Sequence, residues 1–249
     1  MTGENARATR EIFHGQLLAR QDPESIWGWK TPAGRLRATQ RAARIAAGAC
    51  LGPGVRALEL GCGTGVFTEM FAQTGADITA IDISEDLLDQ ARARQLDPER
   101  VRFVACRIED VSDAGRFDAV IGSSVLHHLD VEAAVARMRV LLRSGGLVSF
   151  AEPNMLNPQV FAERHARFLP VFDYVSPDET AFVRWSLARL LKSHGFDEIA
   201  ITPLDWLHPA TPPPLIGLVS RTGALLERLP IIREFGGSIY IRCRRGRSS

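Results

Sequence analysis

Residues 55–73 read VRALELGCGTGVFTEMFAQ: a short apolar run, VRALEL, opens onto Gly61-Cys62-Gly63-Thr64-Gly65 and then onto an apolar-rich segment of helical character. Strand, glycine turn and helix follow one another without a spacer. The unit recurs after Gly75, where ADITAID (76–82) reads as a second strand. Ser84 then caps a helix whose first turn carries Glu85 and Asp86, the charge that suits the positive end of a helix dipole. VRFVAC (101–106) is the third strand and FDAVIGSS (117–124) the fourth. VEAAVARMRVLL (131–142) is the next helix, Gly145-Gly146 its stop, and LVSFAE (147–152) the fifth strand. Strands separated by helical crossovers run parallel and are covered on both faces, so residues from about 50 to 203 are expected to form a doubly wound α/β sheet.

Outside that frame the alternation loosens. Upstream, RLRATQRAARIAAGA (35–49) has helical spacing and ends at Gly52-Pro53-Gly54. Downstream, residues 153–176 carry Phe161, Phe168, Phe172 and Tyr174 but no clean strand, which marks an insertion. Ser176-Pro177-Asp178-Glu179 has the form of a capping box opening a helix that runs to Lys192 and stops at Gly195. FDEIAITPL (196–204) is a sixth strand. A stretch broken by Pro209, Pro212, Pro213 and Pro214 and a short helix near 215–229 follow, and GSIYIRC (237–243) completes a seven-stranded, mostly parallel sheet. Arg242, Arg244, Arg245 and Arg247 form a short basic tail that reads as solvated charge.

Composition narrows the function classes. With 249 residues, 45% apolar, 24% charged and a formal charge of +1, the chain fits one globular domain and excludes disordered and fibrous architectures. The near cancellation of charge gives no overall signature of a nucleic-acid or anionic-membrane binder, although two lysines stand against twenty-eight arginines. Cys50, Cys62, Cys106 and Cys243 show neither a CxxC spacing nor a Cys/His cluster, so neither a disulfide framework nor a zinc site is indicated and a reducing cytoplasm is expected. No apolar run approaches the ~20 residues of a membrane span, and MTGENARATREIFHG lacks the apolar core of a signal peptide.

The chemistry concentrates at the glycine turn. Glycine permits positive φ and close approach of the backbone to a ligand, and the N–H groups opening the following helix can meet a polar or anionic group. Asp82, seventeen residues beyond Gly65 at the end of the second strand, is placed to accept both hydroxyls of a ribose. The spacing is GxGxG, not the GxGxxG of dinucleotide binders, and no GKS or GKT follows, which excludes a phosphate loop of the Walker type. Glu59, two residues before Gly61, would repel a pyrophosphate but attract an ammonium. A ribose with a nearby ammonium points to S-adenosylmethionine.

On these residues the sequence resembles the class I S-adenosylmethionine-dependent methyltransferases, through LELGCGTG (58–65), Asp82, FDAVIGSSVLHHL (117–129) and LLRSGGLVSF (141–150). The resemblance implies a Rossmann-like fold and a cofactor site that includes Glu59, Gly61, Cys62, Gly63, Gly65, Asp82, Ile83, Arg107, Ile108 and Ser123. In it Glu59 and the turn serve the methionine end, Asp82 the ribose, and Ile108 the adenine face, whereas Arg107 stands where the family commonly has an acid. Cys62 is read as a small loop filler. Residues 1–49, with Trp27 and Trp29, are expected to form a helical lid on a domain spanning 50–249, the two tryptophans either shielding the site from water, lining an acceptor pocket or anchoring the extension to the core.

Methyl transfer from a sulfonium asks the protein mainly for proximity, orientation and, with a protonated acceptor, a base. His127 and His128, just after the fourth strand, have the chemistry of that base, and the same pair also serves as a structural turn. Glu152 and Asn154 at the end of the fifth strand either face the ligand or cap the next segment. The aromatic residues of 161–174, with Trp206, His208, Leu215, Ile216, Leu218 and Val219, suggest a pocket for a small apolar acceptor. The expected function is S-adenosylmethionine-dependent methylation of a small molecule at O, N or C, without nucleic acid or membrane insertion, and with S-adenosylhomocysteine as product. The alternatives are an RNA or protein methyltransferase and a non-catalytic partner subunit that binds the same nucleoside.

Overall fold

The computed structural model describes residues 3–112, 114–165 and 180–246. Its centre is β1 (Arg56–Leu60), flanked on one side by β2 (Asp77–Asp82) and β3 (Val101–Ala105) and on the other by β4 (Phe117–Ser123) and β5 (Leu142–Pro153). These five strands are parallel. β6 (Phe196–Leu204) forms the far edge, and β7 (Ser238–Arg245) inserts between β5 and β6, antiparallel to both. The resulting order, β3-β2-β1-β4-β5-β7-β6, is the seven-stranded, mostly parallel sheet that the alternation predicts. Pro203 is tolerated in β6 because an edge strand can spare a ladder N–H.

Alternation along the strands sorts two cores. Leu58, Leu60, Val120, Val148 and Phe150 face one side, where Val135, Met138 and Leu141 of α6 (Val131–Leu141) and Leu187 and Leu191 of α8 (Arg184–Ser193) cover them. Ala57, Ala80, Ala119 and Ala151 face the other. Small side chains there let α3 (Pro32–Gly48), α4 (Val66–Ala72) and α5 (Glu85–Arg92) come close, with Ile45, Phe71 and Leu88 fully buried. Each such burial contributes ~1.5–3 kcal/mol. Ser84 caps α5 as expected, its hydroxyl accepting from Leu87 N at 3.4 Å.

Ahead of α3 lie α1 (Gly3–Ala19) and α2 (Pro23–Ile26). After β5 come α7 (Pro158–His165) and, beyond β6, α9 (Ile216–Leu226). Two expectations need correction. Gly145-Gly146 does not end a helix: α6 stops at Leu141, and the glycines lie within β5, where the pairing with β4 shifts register between Phe117 and Ala119. Gly145 at φ +74° makes this a bulge. The helix expected to run unbroken to Lys192 is not helical over residues 180–183, and α8 begins at Arg184; Phe182 just before it pairs with Asn154 in an isolated bridge, holding the chain extended. Phe168, Phe172, Tyr174, the 176–179 capping box and Arg247 lie outside the described residues.

Candidate active site

β1 and β4 are neighbours whose onward connections leave in opposite directions, so their carboxyl ends frame a crevice. The glycine turn occupies it. Gly61, Gly63 and Gly65 have φ of +59°, +52° and +78°, and a Cβ on Gly61 would stand 2.3 Å from Val125 Cγ2. Asp82 braces the turn: its Oδ2 accepts from Gly63 N at 2.8 Å and its Oδ1 from Ser84 N at 2.9 Å. A carboxylate has about four lone-pair directions, so capacity remains for two ligand hydroxyls. Burial raises the Asp82 pKa, and those backbone hydrogen bonds act against the shift.

A cavity of about 800 Å³ extends from this turn. Gly61, Cys62, Gly63, Asp82, Ile83, Arg107, Ile108, Ser123, His127 and His128 all border it. Glu59 and Gly65 do not: Gly65 turns toward Ala91, and Glu59 is buried on β1 beneath the turn. Its Oε2 has no hydrogen-bond partner. Burial pushes the Glu59 carboxyl up to about 8; the Thr68 hydroxyl opposes the shift although it falls short of hydrogen-bond geometry, and the charge of Asp82 adds to it. Burial, aided by Asp82 and Glu59, also holds the Cys62 thiol well above its ordinary range, which fits a loop filler and not a nucleophile. Arg107 pairs with Glu109 at 3.1 Å, while Ile108 is buried at the cavity wall.

The N-terminal helices form the cavity's outer wall. Arg7, Glu11, His14, Gly15 and Leu18 of α1 fall at helical spacing and face it. Gly15 lets α1 sit close to α5, since a Cβ there would meet Ser84 Oγ at 2.6 Å. Trp27 lies against Gly63, 3.3 Å from where a Cβ would be, and Trp29 meets Phe67 edge-on at 5.3 Å between centroids. One tryptophan thus covers the turn and the other anchors to the core, though both border the cavity. Glu24 fixes α2 to the turn by accepting from Thr64 Oγ1 at 3.1 Å and from Arg94 at 2.6 Å.

Opposite the turn, His127 Nδ1 lies 2.8 Å from Glu152 Oε2, and Glu152 Oε1 accepts from Val125 N and Leu126 N at 2.9 and 3.0 Å. The carboxylate thereby sets the histidine's orientation and favours the tautomer with its proton on Nδ1. His128 Nδ1 is 3.1 Å from Glu11 Oε2 of α1. Glu152 does not border the cavity and acts through His127; Asn154 is a clamp, donating to the carbonyls of Glu234 and Gly236. The basic tail is spent locally, Arg242 on Gly48 O, Arg244 on Glu198 and Arg245 on Leu142 O.

Sequence reading missed the cluster around Asp205. Its Oδ2 accepts from Arg37 Nε at 2.6 Å and Arg41 at 3.0 Å, and Arg41 also donates to Ser124 and Ser238 at 2.9 and 2.6 Å. Burial draws the Asp205 pKa upward, but the two guanidinium groups outweigh it and the net shift is downward; burial lowers that of Arg41. Both arginines lie over Trp29, each 5.5 Å from the ring centroid. The only local signal was the i, i+4 spacing of Arg37 and Arg41. The expected apolar pocket is also corrected. Trp206 and His208 border the cavity, but Phe161, Leu215, Ile216, Leu218 and Val219 do not: Phe161, Leu215 and Leu218 are exposed on α7 and the α9 segment, and Ile216 and Val219 are partly buried away from it.

The sheet order, the glycine turn at its switch point and the acid after β2 define a nucleoside-binding α/β domain of Rossmann type. A family model described as a methyltransferase domain matches residues 57–146. The ubiquinone biosynthesis O-methyltransferase of Alkalilimnicola ehrlichii is 33% identical over 68% of this chain and 72% of its own length. That of Xanthomonas campestris pv. campestris is 34% identical over 52% of this chain, which spans only 60% of that relative's length. In structure, the N-methyltransferase NodS of Bradyrhizobium japonicum, solved with S-adenosyl-L-homocysteine, superposes with a TM-score of 0.63 at 19% identity, covering 94% of this chain and 97% of its own. The chain belongs to the class I S-adenosylmethionine-dependent methyltransferases. The site fits that cofactor: the turn has no room for side chains, Asp82 retains acceptor capacity, and Glu59 keeps an orphaned buried oxygen.

Proposed function

We propose that the chain binds S-adenosylmethionine in the cavity beside the glycine turn and methylates an oxygen of a small molecule with an apolar body. S-Adenosylmethionine supplies a methyl group on a sulfonium sulfur, which an acceptor lone pair displaces in line, leaving the neutral thioether S-adenosylhomocysteine. Asp82 accepts the ribose hydroxyls, with Ile83 beside it; Ile108 packs on the adenine, and Arg107 flanks it. The backbone of Gly61, Cys62 and Gly63, with Ser123, bounds the methionine end; Gly65 shapes the turn from behind, and Glu59 supports it from beneath. Of the segment expected as a lid, α1 and α2 cover the cavity, with Trp27 excluding water from the turn, whereas α3 belongs to the sheet's core packing.

The observation that carries the reading is His127, which borders the same cavity as Asp82 and the turn and whose Nδ1 is held from behind by Glu152. A buried carboxylate holding Nδ1 of a histidine prepares Nε2 to take the proton that a hydroxyl or phenol loses as its oxygen attacks. An amine acceptor gains less from such a base. The O-methyltransferase names of the sequence relatives support the same choice. Val160, Trp206 and Leu207 offer the acceptor an apolar wall. The test is methyl transfer from labelled cofactor to a panel of phenols and catechols. His127→Ala should lower kcat by about 10²- to 10⁴-fold with cofactor affinity retained, and Glu152→Gln should lower it less. Full turnover by His127→Ala would remove histidine from the chemistry.

A further inference from the structure

Residues 213–235 join β6 to β7 and expose an unusual run of large apolar side chains. Leu218 is 65% exposed, Leu225 59% and Ile231 79%, and Leu215, Leu229 and Phe235 are also exposed. Isolated exposed leucines are ordinary, but a contiguous set on one short segment marks a contact surface. On α9, Leu218, Arg221, Thr222 and Leu225 fall at i, i+3, i+4 and i+7, one outward stripe that Leu215 and Leu229 extend at either end. The opposite side is spoken for: Gly223 is buried against Trp206, and Glu227 Oε1 accepts from Asp205 N at 3.0 Å.

Charge on this segment is sorted by direction. Both acids turn inward, Glu227 to the backbone of Asp205 and Glu234 to Arg184, which it meets at 2.7 and 2.9 Å. Arg221 and Arg228 are exposed beside the apolar stripe. An apolar face whose own exposed charges are Arg221 and Arg228, with its two acids turned inward, complements an anionic lipid surface, where leucines enter the acyl boundary and guanidinium groups meet phosphates. A second copy of the chain is a poorer match, because its own segment offers the same outward arginines and no outward acid to pair them. The net charge of +1 hides this segregation.

We propose that residues 213–235 are a peripheral docking surface for an anionic lipid bilayer. Docking here is interfacial; among the described residues no helix is long and apolar enough to cross a membrane. The segment is buttressed on Trp206, which borders the cavity, so docking would bring the cavity's wall to the lipid surface. The proposal does not depend on the methyl-transfer reading, since vesicle binding requires no cofactor.

The experiment is flotation of the full chain with vesicles of phosphatidylcholine containing about one third phosphatidylglycerol, and with phosphatidylcholine alone. The protein should partition to the anionic vesicles and less so at raised salt. Leu218→Asp with Leu225→Asp should cut partitioning about tenfold or more, and Arg221→Glu with Arg228→Glu should remove the preference for phosphatidylglycerol, both with unchanged thermal unfolding. Absence of wild-type partitioning, or equal partitioning of wild type and both variants, overturns the proposal. So does a dimer in sedimentation that Leu218→Asp converts to monomer while vesicles stay bare.

Discussion

Glu59 is an acid that the fold keeps from ionising. Its carboxyl, ordinarily titrating near 4.5, is pushed to about 8 by burial beneath the glycine turn. Between those values the folded chain holds a proton that the unfolded chain has released, so the stability associated with this group is complete below about 4.5 and is lost as pH rises toward 8. Glu59→Gln keeps the shape and removes the titration. The variant's stability relative to wild type should therefore rise between pH 5 and pH 8, by on the order of 1 kcal/mol or more, in urea unfolding at each pH. Parallel pH curves for the two proteins would place the proton elsewhere. At this scale the sequence was informative wherever partners are near in the chain: the glycine turn and Asp82 declare themselves through strand and helix order. The burial that alters Glu59 could not be read, because it depends on Thr68, Asp82 and the packing of α4 together.

Elements were legible where period and caps agreed and were misread where glycine has two meanings. Gly145-Gly146 after an apolar helical run has the form of a stop, yet the chain uses the pair as a bulge that lets β5 begin at Leu142. The Arg37–Arg41–Asp205 cluster shows the other limit: α3 and the end of β6 meet across 164 residues between Arg41 and Asp205, and neither segment signals the other. Asp205 holds φ +79°, rare outside glycine, and the two guanidinium groups help to fix it there. Asp205→Ala should cost about 3 kcal/mol or more in denaturant unfolding, because it leaves Arg41 buried without its counter-charge. Adding Arg41→Met should recover part of that loss. Strict additivity of the two losses would show that the pair is not coupled.

Across the whole molecule, the sheet order places the first half of the chain around a single switch point and recruits the rest as walls. Strand and helix alternation predicted the order's parallel part, since crossovers leave few other solutions. What the alternation could not show is how α1, α2 and residues 205–210 close the crevice into one cavity, because those contacts join the chain's beginning to its last third. The central claim is that this cavity is a site for S-adenosylmethionine built on the glycine turn and Asp82. Calorimetric titration with S-adenosylmethionine, S-adenosylhomocysteine and NAD, on wild type and Asp82→Ala, tests it most directly. The account predicts binding of both sulfur nucleosides in the micromolar range, none of NAD, and a loss of ~1–3 kcal/mol in the variant. Binding of NAD in preference, no binding of either sulfur nucleoside, or affinity unchanged by Asp82→Ala would contradict it.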